Sequence, residues 1–218
     1  MLSSNSAERE NFLNGVTINE TYFFREEKQF KVLRDVVYPE MESGDSLRFW
    51  SATCATGEEA VSLALLAHEC FGKGQWENVK IYATDINTDT LDVLREGCYR
   101  SRSFKKDGVS FRYLLGNDGT MDSYAVSDVI KDRMVISRLN LYKDSYKVFP
   151  DELDLVFFRN TLIYYDETTK SQLISRVISR LKPGGYFFVS ATEVPFVPLT
   201  GLKLLERDNI YYFRKQAE

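Results

Sequence analysis

The sequence has one histidine, His68, and three cysteines, Cys54, Cys70 and Cys98, among its 218 residues. A lone histidine, with no cysteine pair at zinc-ligand spacing, removes most metal-hydrolase and Ser-His-Asp chemistry, and no metal is expected. An odd number of cysteines in a chain too large to need staples argues against a disulfide framework and leaves the thiols as packing groups. Positive charge is not in excess: 28 Lys and Arg stand against 32 Asp and Glu, a formal net charge of −4. The chain therefore lacks the basic field that neutralises phosphates, and nucleic acid is not an expected partner. No run approaches the ~20 apolar residues of a membrane span. The polar start MLSSNSAERENFLN has no basic region followed by an apolar stretch. The expectation is a cytoplasmic protein without membrane insertion. Internal repeats, low-complexity tracts and long Pro/Gly/Ser linkers are also missing.

What the chain does have is 44% hydrophobic and 14% aromatic residues, enough for one sizeable core. Short apolar runs ending in small or polar residues alternate with helical patterns, as βα units of a mostly parallel sheet do. After a helical opening over 22–38, LRFWSATC reads as a strand buried on both faces, and the spacing over 58–71 predicts a helix. The strand VKIYATD, the helix TDTLDVLREG and the strand LDLVFF continue the alternation. TTKSQLISRVISRLK reads as an amphipathic helix closed by Pro183-Gly184-Gly185. YFFVSAT and the terminal NIYYFRK are expected to close the sheet as an antiparallel pair. Between them, over 99–147, the turn chemistry of GNDGTMDS flanked by SFRYLL and DRMVISRLNLY predicts a small β excursion; the other reading is a long loop without order. The whole, 1–218, is expected to be one α/β domain: a mostly parallel central sheet flanked by helices, with a small antiparallel β insertion at 100–147.

In such sheets ligands bind beyond the carboxyl ends of the strands, where strand order reverses. LRFWSATC runs into Ala55-Thr56-Gly57-Glu58-Glu59 and then a helix. One glycine is not the GxGxxG of a dinucleotide fingerprint, so a pyrophosphate cradle and a nicotinamide oxidoreductase are not supported. Glu58 and Glu59 would repel phosphate and suit a ligand carrying ammonium or sulfonium charge, which describes S-adenosylmethionine. A Thr cap with acidic residues favouring a helix N-terminus explains the same letters. Asp85 ends VKIYATD, where it can accept two ribose hydroxyls or cap the following helix. Asn140 and Arg159-Asn160 also fall at the carboxyl ends of apparent strands, and together these residues would form one rim.

Four segments match the CheR family in order and spacing. They are Asn19-Glu20-Thr21-Tyr22-Phe23-Phe24-Arg25-Glu26, the turn Ala55-Thr56-Gly57-Glu58-Glu59, Ala83-Thr84-Asp85-Ile86, and Arg159-Asn160-Thr161-Leu162-Ile163-Tyr164-Tyr165-Asp166. Leu181-Lys182-Pro183-Gly184-Gly185 fits as well, though that string is common among methyltransferases. The chain thus resembles, over 17–213, the S-adenosylmethionine-dependent chemoreceptor glutamate methyltransferases. The resemblance implies a Rossmann-like class I methyltransferase fold and a cytoplasmic enzyme of chemotaxis. It would form glutamate methyl esters on methyl-accepting receptors, with the receptor cytoplasmic domain as partner and S-adenosylhomocysteine as product. By the same resemblance Asn19, Thr21 and Arg25 would line the cofactor and acceptor pocket. Glu59 and Asp85 would hold the amino-acid and ribose parts of the cofactor, and Asn140-Leu141 with Phe158-Arg159 would frame its adenosine side. Arg25 and Tyr164 would sit nearest the methyl transfer. Without the resemblance, NETYFFREE reads as an aromatic-rich helix start packed on the sheet, and Tyr164 as a sheet-edge aromatic for which Tyr165 could be exchanged.

A glutamate carboxylate, with a pKa near ~4.3, is already ionised at neutral pH, so methyl transfer to it needs no general base. Alignment and exclusion of water carry the reaction instead, and a site without histidine fits. Arg25 is expected to pair with the acceptor carboxylate and Tyr164 to position the reacting groups. Tyr22, Phe23 or Phe24 could face the sulfonium, a contact worth ~0.5–2 kcal/mol. Several features depart from the family. About eighteen residues precede Asn19, where family members carry a basic helical docking domain, so that domain is expected to be missing. The β excursion is shorter and differently composed, so peptide tethering is not expected. Thr53 replaces a frequent glycine, and SATEVPF differs from the usual Ser-Glu-Asn-Phe. The alternatives are a module that senses S-adenosylmethionine without turnover, and a methyltransferase of another protein or of a small-molecule acceptor.

Overall fold

The computed structural model describes residues 6–41, 46–104, 114–116, 123–149 and 152–217. Helices α1 (Ser6–Val16) and α2 (Glu27–Val32) precede the first strand, β1 (Leu47–Ala52), which is followed by α3 (Glu58–Trp76), β2 (Val79–Asp85) and α4 (Thr88–Glu96). The short strands β3 (Cys98–Tyr99), β4 (Leu114–Gly116) and β5 (Tyr124–Val126) lead through α5 (Asp128–Lys131) to β6 (Met134–Arg138). The chain ends with β7 (Leu153–Phe158), α6 (Glu167–Ile178), β8 (Leu181–Phe188), β9 (Leu202–Arg207) and β10 (Ile210–Lys215).

Seven strands form the main sheet in the order β6-β2-β1-β7-β8-β10-β9. The first five are parallel, and β10 runs antiparallel to both β8 and β9. The chain moves outward from β1 through β2 to β6, then crosses back to β7. Strand order therefore reverses between β1 and β7, which opens a crevice at their carboxyl ends. Successive side chains of a strand point to opposite faces. Phe49, Phe157 and Phe188 thus enter the layer under α2 and α3, while Trp50, Phe158 and Phe187 enter the layer under α6. All six rings are fully buried, which is why these strands read as unbroken apolar runs. The buried indole of Trp50 donates through Nε1 to the Thr84 hydroxyl at 2.9 Å, so its polar atom is satisfied inside the core.

Several elements differ from the sequence reading. The helical opening starts only at Glu27, because Phe24 (φ 54°) and Glu26 (φ 60°) are left-handed. That turn drives Phe23 into the core, where its N–H donates to the Ser103 carbonyl at 2.9 Å and the Phe24 N–H donates to the Ser62 hydroxyl at 3.0 Å. β6, expected inside the insertion, is instead an edge strand of the main sheet, in parallel register with β2 from Ile81↔Met134 to Asp85↔Arg138. The small antiparallel sheet holds β3, β5 and β4 in that order. Much of SFRYLL and GNDGTMDS lies outside the described residues. α6 stops at Ile178, and Pro183-Gly184-Gly185 falls within β8, beside a register shift at Leu153/Leu155 that absorbs the irregularity. Only Cys54 is a packing thiol; Cys70 and Cys98 are exposed. No helix among the described residues is long and apolar enough to cross a membrane.

Phe157 stacks on Phe188 at 4.9 Å and tilts against Phe30 at 5.6 Å, at the centre of the sheet. Phe157→Ala is expected to cost ~3–5 kcal/mol of unfolding free energy, read from urea denaturation as a lowered midpoint at unchanged slope.

Candidate active site

The crevice at the carboxyl ends of β1, β2 and β7 is a cleft of about 300 Å³. Residues 16–21 and Arg25 form one side. Thr53, Cys54, Ala55 and Glu59 form the floor with Asp85 and Ile86, and Arg159, Asn160, Thr161, Tyr164 and Tyr165 form the other side.

The floor is a turn of left-handed residues: Thr53 (φ 66°), Ala55 (φ 48°) and Gly57 (φ 91°). A Cβ on Gly57 would lie 2.3 Å from Leu94 Cδ1, so that position requires glycine. The strained turn is held from several sides, as such conformations must be. The Cys54 N–H donates to the Thr84 carbonyl at 2.9 Å, the Gly57 N–H to the Cys54 carbonyl at 2.8 Å, and the Ala55 N–H to Asp85 Oδ2 at 2.9 Å.

Asp85 is buried, and its Oδ1 accepts the Asn87 N–H at 3.0 Å. Burial pushes its carboxyl pKa up, against the pull of the backbone donors at Asn87 and Ala55. The cap of α4 is Asn87, whose side chain accepts from the N–H groups of Asp89 and Thr90, so capping does not consume Asp85. Asn87 also donates through Nδ2 to the Thr17 hydroxyl at 2.6 Å and to the Asn14 carbonyl at 3.1 Å, which ties the 14–19 segment over the cleft.

The two glutamates that open α3 separate. Glu58 turns inward, taking the Ser103 hydroxyl at 2.8 Å and the Thr56 hydroxyl at 2.6 Å. Glu59 faces the cleft, with Oε1 accepting from the Ser51 hydroxyl at 2.6 Å and Oε2 from Arg159 Nε at 2.7 Å. The Arg159 side chain is 1% exposed. Its Nη1 donates to the Arg25 carbonyl at 2.8 Å and to Gln29 Oε1 at 3.0 Å, and its guanidinium lies 5.1 Å from the Phe157 ring centroid. Arg159 therefore ties α2, α3 and β7 together.

Of the residues singled out in the sequence, Asn19, Thr21, Arg25, Glu59, Asp85, Arg159 and Tyr164 all line this one cleft. Asn140, Leu141 and Phe158 lie outside it. The Asn140 side chain accepts from the N–H groups of Tyr142 and Lys143, and Leu141 and Phe158 are buried in the layer under α6. Tyr22, Phe23 and Phe24 are not on the wall either. Phe23 stacks on Phe104 at 4.8 Å, and Phe24 meets Phe30 at 5.0 Å. Tyr165 joins Tyr164 on the wall; its hydroxyl pKa is pushed up by burial and then by the Asp85 charge. Sequence reasoning missed Thr17 and Ile18, which lie just before the first motif, and gave no role to Thr161 inside the last one. It also missed Glu193, a fully buried carboxylate that accepts the N–H groups of Asn160, Thr161 and Leu162 at 2.7–2.8 Å. An acidic residue inside the otherwise uncharged SATEVPF was the available signal.

This combination of a doubly wound sheet, a cleft at its switch point, an acidic floor and no glycine-rich phosphate cradle defines the class I methyltransferase arrangement. The match to the solved N-methyltransferase NodS of Bradyrhizobium japonicum in complex with S-adenosyl-L-homocysteine bears on the fold alone: 12% identity, TM-score 0.52, covering 95% of this chain and 97% of that one. The family model "CheR methyltransferase, SAM binding domain" matches residues 19–200. A chemotaxis protein methyltransferase of Escherichia coli is 34% identical over 200 residues, covering 88% of this chain and 68% of the relative. Chemotaxis protein methyltransferase 2 of Pseudomonas aeruginosa is 32% identical over 195 residues, covering 88% and 69%. The chain belongs to the CheR methyltransferase family and is an S-adenosylmethionine-dependent methyltransferase. It spans about two thirds of the length of these relatives.

The cleft fits that cofactor. Asp85 and Glu59 each keep acceptor capacity beyond the bonds described, since a carboxylate offers about four lone-pair sites. Breaking the buried ion pair tests how far the site depends on it. Arg159→Leu, which leaves Glu59 without its cation and the Arg25 carbonyl without its donor, is expected to lose ~3–5 kcal/mol in chemical denaturation.

Proposed function

We propose that the protein esterifies glutamate side chains on the cytoplasmic domains of chemotaxis receptors, working in the cytoplasm and releasing S-adenosylhomocysteine. The observation that carries this reading is Arg25, a cationic side chain on the cleft wall, which also has apolar lips. Val16 and Ile18 are exposed on one lip, and Ile163, Tyr164 and Tyr165 on the other. Exposed apolar groups around a polar cleft mark a macromolecular contact. Here they suit the apolar residues that flank a glutamate on a protein surface.

S-adenosylmethionine, when bound, supplies an electrophilic methyl group on a positively charged sulfur. Asp85 holds the ribose hydroxyls and Glu59 the cofactor ammonium, with Asn19 and Thr21 closing the same side. Arg25 pairs with the acceptor carboxylate and fixes which oxygen reacts. Its Nη1 donates to the Glu20 carbonyl at 2.6 Å and its guanidinium lies 5.8 Å from the Tyr22 ring centroid, which limits its swing. Tyr164, on the opposite lip, positions the acceptor. No proton needs to move, because the acceptor glutamate is ionised near neutrality. The only histidine supports this: His68 sits on α3, 5.1 Å from the Trp76 ring, and is not on the cleft wall.

Two experiments test these roles. The ionised form of Asp85 accepts the ribose hydroxyls, and burial raises its pKa, so affinity is complete above that raised value and lost as pH falls through it. Calorimetry with S-adenosylhomocysteine is expected to show weakening on acidification with a midpoint above the ~3.9 of an exposed aspartate, and a weaker, flat profile for Asp85→Asn. Arg25→Ala is expected to lower kcat/KM on a receptor cytoplasmic domain roughly 100-fold, scored as base-labile methyl ester, through loss of a charge-assisted pair and its orientation. Wild-type yield of base-labile ester from Arg25→Ala would overturn its role. Methyl transfer yielding only base-stable product would overturn the glutamate reading.

A further inference from the structure

Glu193 is fully buried, yet its described partners are all neutral donors. Oε1 accepts the N–H groups of Thr161 and Leu162, each at 2.7 Å. Oε2 accepts the Asn160 N–H at 2.8 Å, the Ser190 N–H at 3.1 Å and the Ser190 hydroxyl at 2.6 Å. A buried carboxylate is tolerated only when such donors replace its lost hydration, and five directed donors do so. Three of them are consecutive backbone amides at the end of β7, where the chain must turn sharply: Asn160 is left-handed at φ 55°. From that turn hangs the lip of the cleft. The Tyr164 N–H donates to the Thr161 carbonyl at 3.2 Å and the Tyr165 N–H to the Leu162 carbonyl at 3.1 Å. The Thr161 hydroxyl lies 2.6 Å from that of Thr53 on the cofactor turn.

We propose that Glu193 is the positioning residue of this lip: by holding the amides of Asn160, Thr161 and Leu162 it sets where Tyr164 and Tyr165 stand over the cleft floor. It touches neither cofactor nor acceptor and acts only through the 160–165 turn. The proposal builds on the methyl-transfer reading above for its kinetic consequence, but not for its structural one. Glutamine is the informative substitution, because it keeps the shape while turning one acceptor oxygen into an NH₂ group that faces N–H donors.

The test uses the full chain as wild type, Glu193→Gln, Glu193→Asp and Ser190→Ala. In Glu193→Gln, amide hydrogen exchange at 160–162 is expected to quicken at least roughly tenfold, with β1, β2 and β7 as protected as in wild type. On a receptor domain, kcat is expected to fall roughly 10- to 100-fold at little-changed acceptor KM, the signature of a ~1 Å misplacement. Glu193→Asp, which keeps the charge, should recover part of both. Wild-type protection or wild-type kcat in the glutamine variant would overturn the role, and so would protection lost evenly across the sheet. If that variant does not fold, Ser190→Ala decides: it removes one donor of five, local quickening at Asn160 supports the role, and unchanged exchange overturns it. The exchange readout needs no acceptor, so a wild type that methylates no receptor would refute the proposed function and leave this measurement standing.

Discussion

Three buried or nearly buried carboxylates hold the cleft open, and each is kept in the protein interior by a different compensation. Glu59 is balanced by a cation, Arg159, at 2.7 Å. Asp85 has two backbone N–H groups and a raised pKa. Glu193 has five neutral donors. An uncompensated charge at any of these places would cost several kcal/mol, more than most single contacts contribute. Each carboxylate therefore dictates the backbone around it: Glu59 fixes the first turn of α3 against the end of β7, Asp85 fixes the Thr53–Gly57 bend, and Glu193 fixes the bend after β7. The sheet alone would leave its strand ends to splay. The carboxylates make their loops converge on one volume.

The distinction between cation and dipole compensation matters for what the cleft can bind. Arg159 uses its charge on Glu59 and is buried, so it adds little field to the cleft. Glu193 is taken up by four backbone N–H groups and a hydroxyl and is not itself on the cleft lining. What remains facing the ligand is the acceptor capacity of Asp85 and Glu59 on the floor and the guanidinium of Arg25 at the side. An acidic floor beneath a lone basic lip favours a cationic cofactor below and an anionic acceptor above, the charge order that methyl transfer to a carboxylate requires.

The parts of this arrangement readable from sequence are those set by local pattern. β1, β2 and β7 announce themselves because strands buried on both faces must be apolar throughout, and the cleft follows from where such strands end. β6 resembles a hairpin strand in sequence because it is a short edge strand whose residues are half-buried and end in an exposed arginine, unlike the fully buried central strands. Pro183 has the look of a helix stop, but α6 has already ended at Ile178, and the proline sits in a bulged strand where its missing N–H is tolerated. Asp85 could be a ligand residue or a cap on spacing alone, and the structure assigns the cap to Asn87. Arg159 and Glu193 were opaque for a deeper reason. The partners that set their roles, Glu59 for Arg159 and the 160–162 amides for Glu193, lie 100 and about 30 residues away, so nothing local distinguishes a structural charge from a catalytic one.

Cofactor side and acceptor side are built to different standards, yet they are not independent. The floor consists of strand ends and buried carboxylates, whereas the lips carry exposed side chains, Val16 and Ile18 on one side and Ile163, Tyr164 and Tyr165 on the other. A substitution at Ile18 or Ile163 changes surface apolar area without disturbing a buried partner. The reverse does not hold, because Arg159 joins Glu59 on the floor to the carbonyl of Arg25 on the lip through bonds of 2.7 and 2.8 Å. If Glu59 shifts, either that chain of bonds breaks, at the cost of a buried unpaired charge, or the backbone of Arg25 moves with it. The same bonds that fix the backbone of Arg25 thus make its position depend on how the floor is occupied.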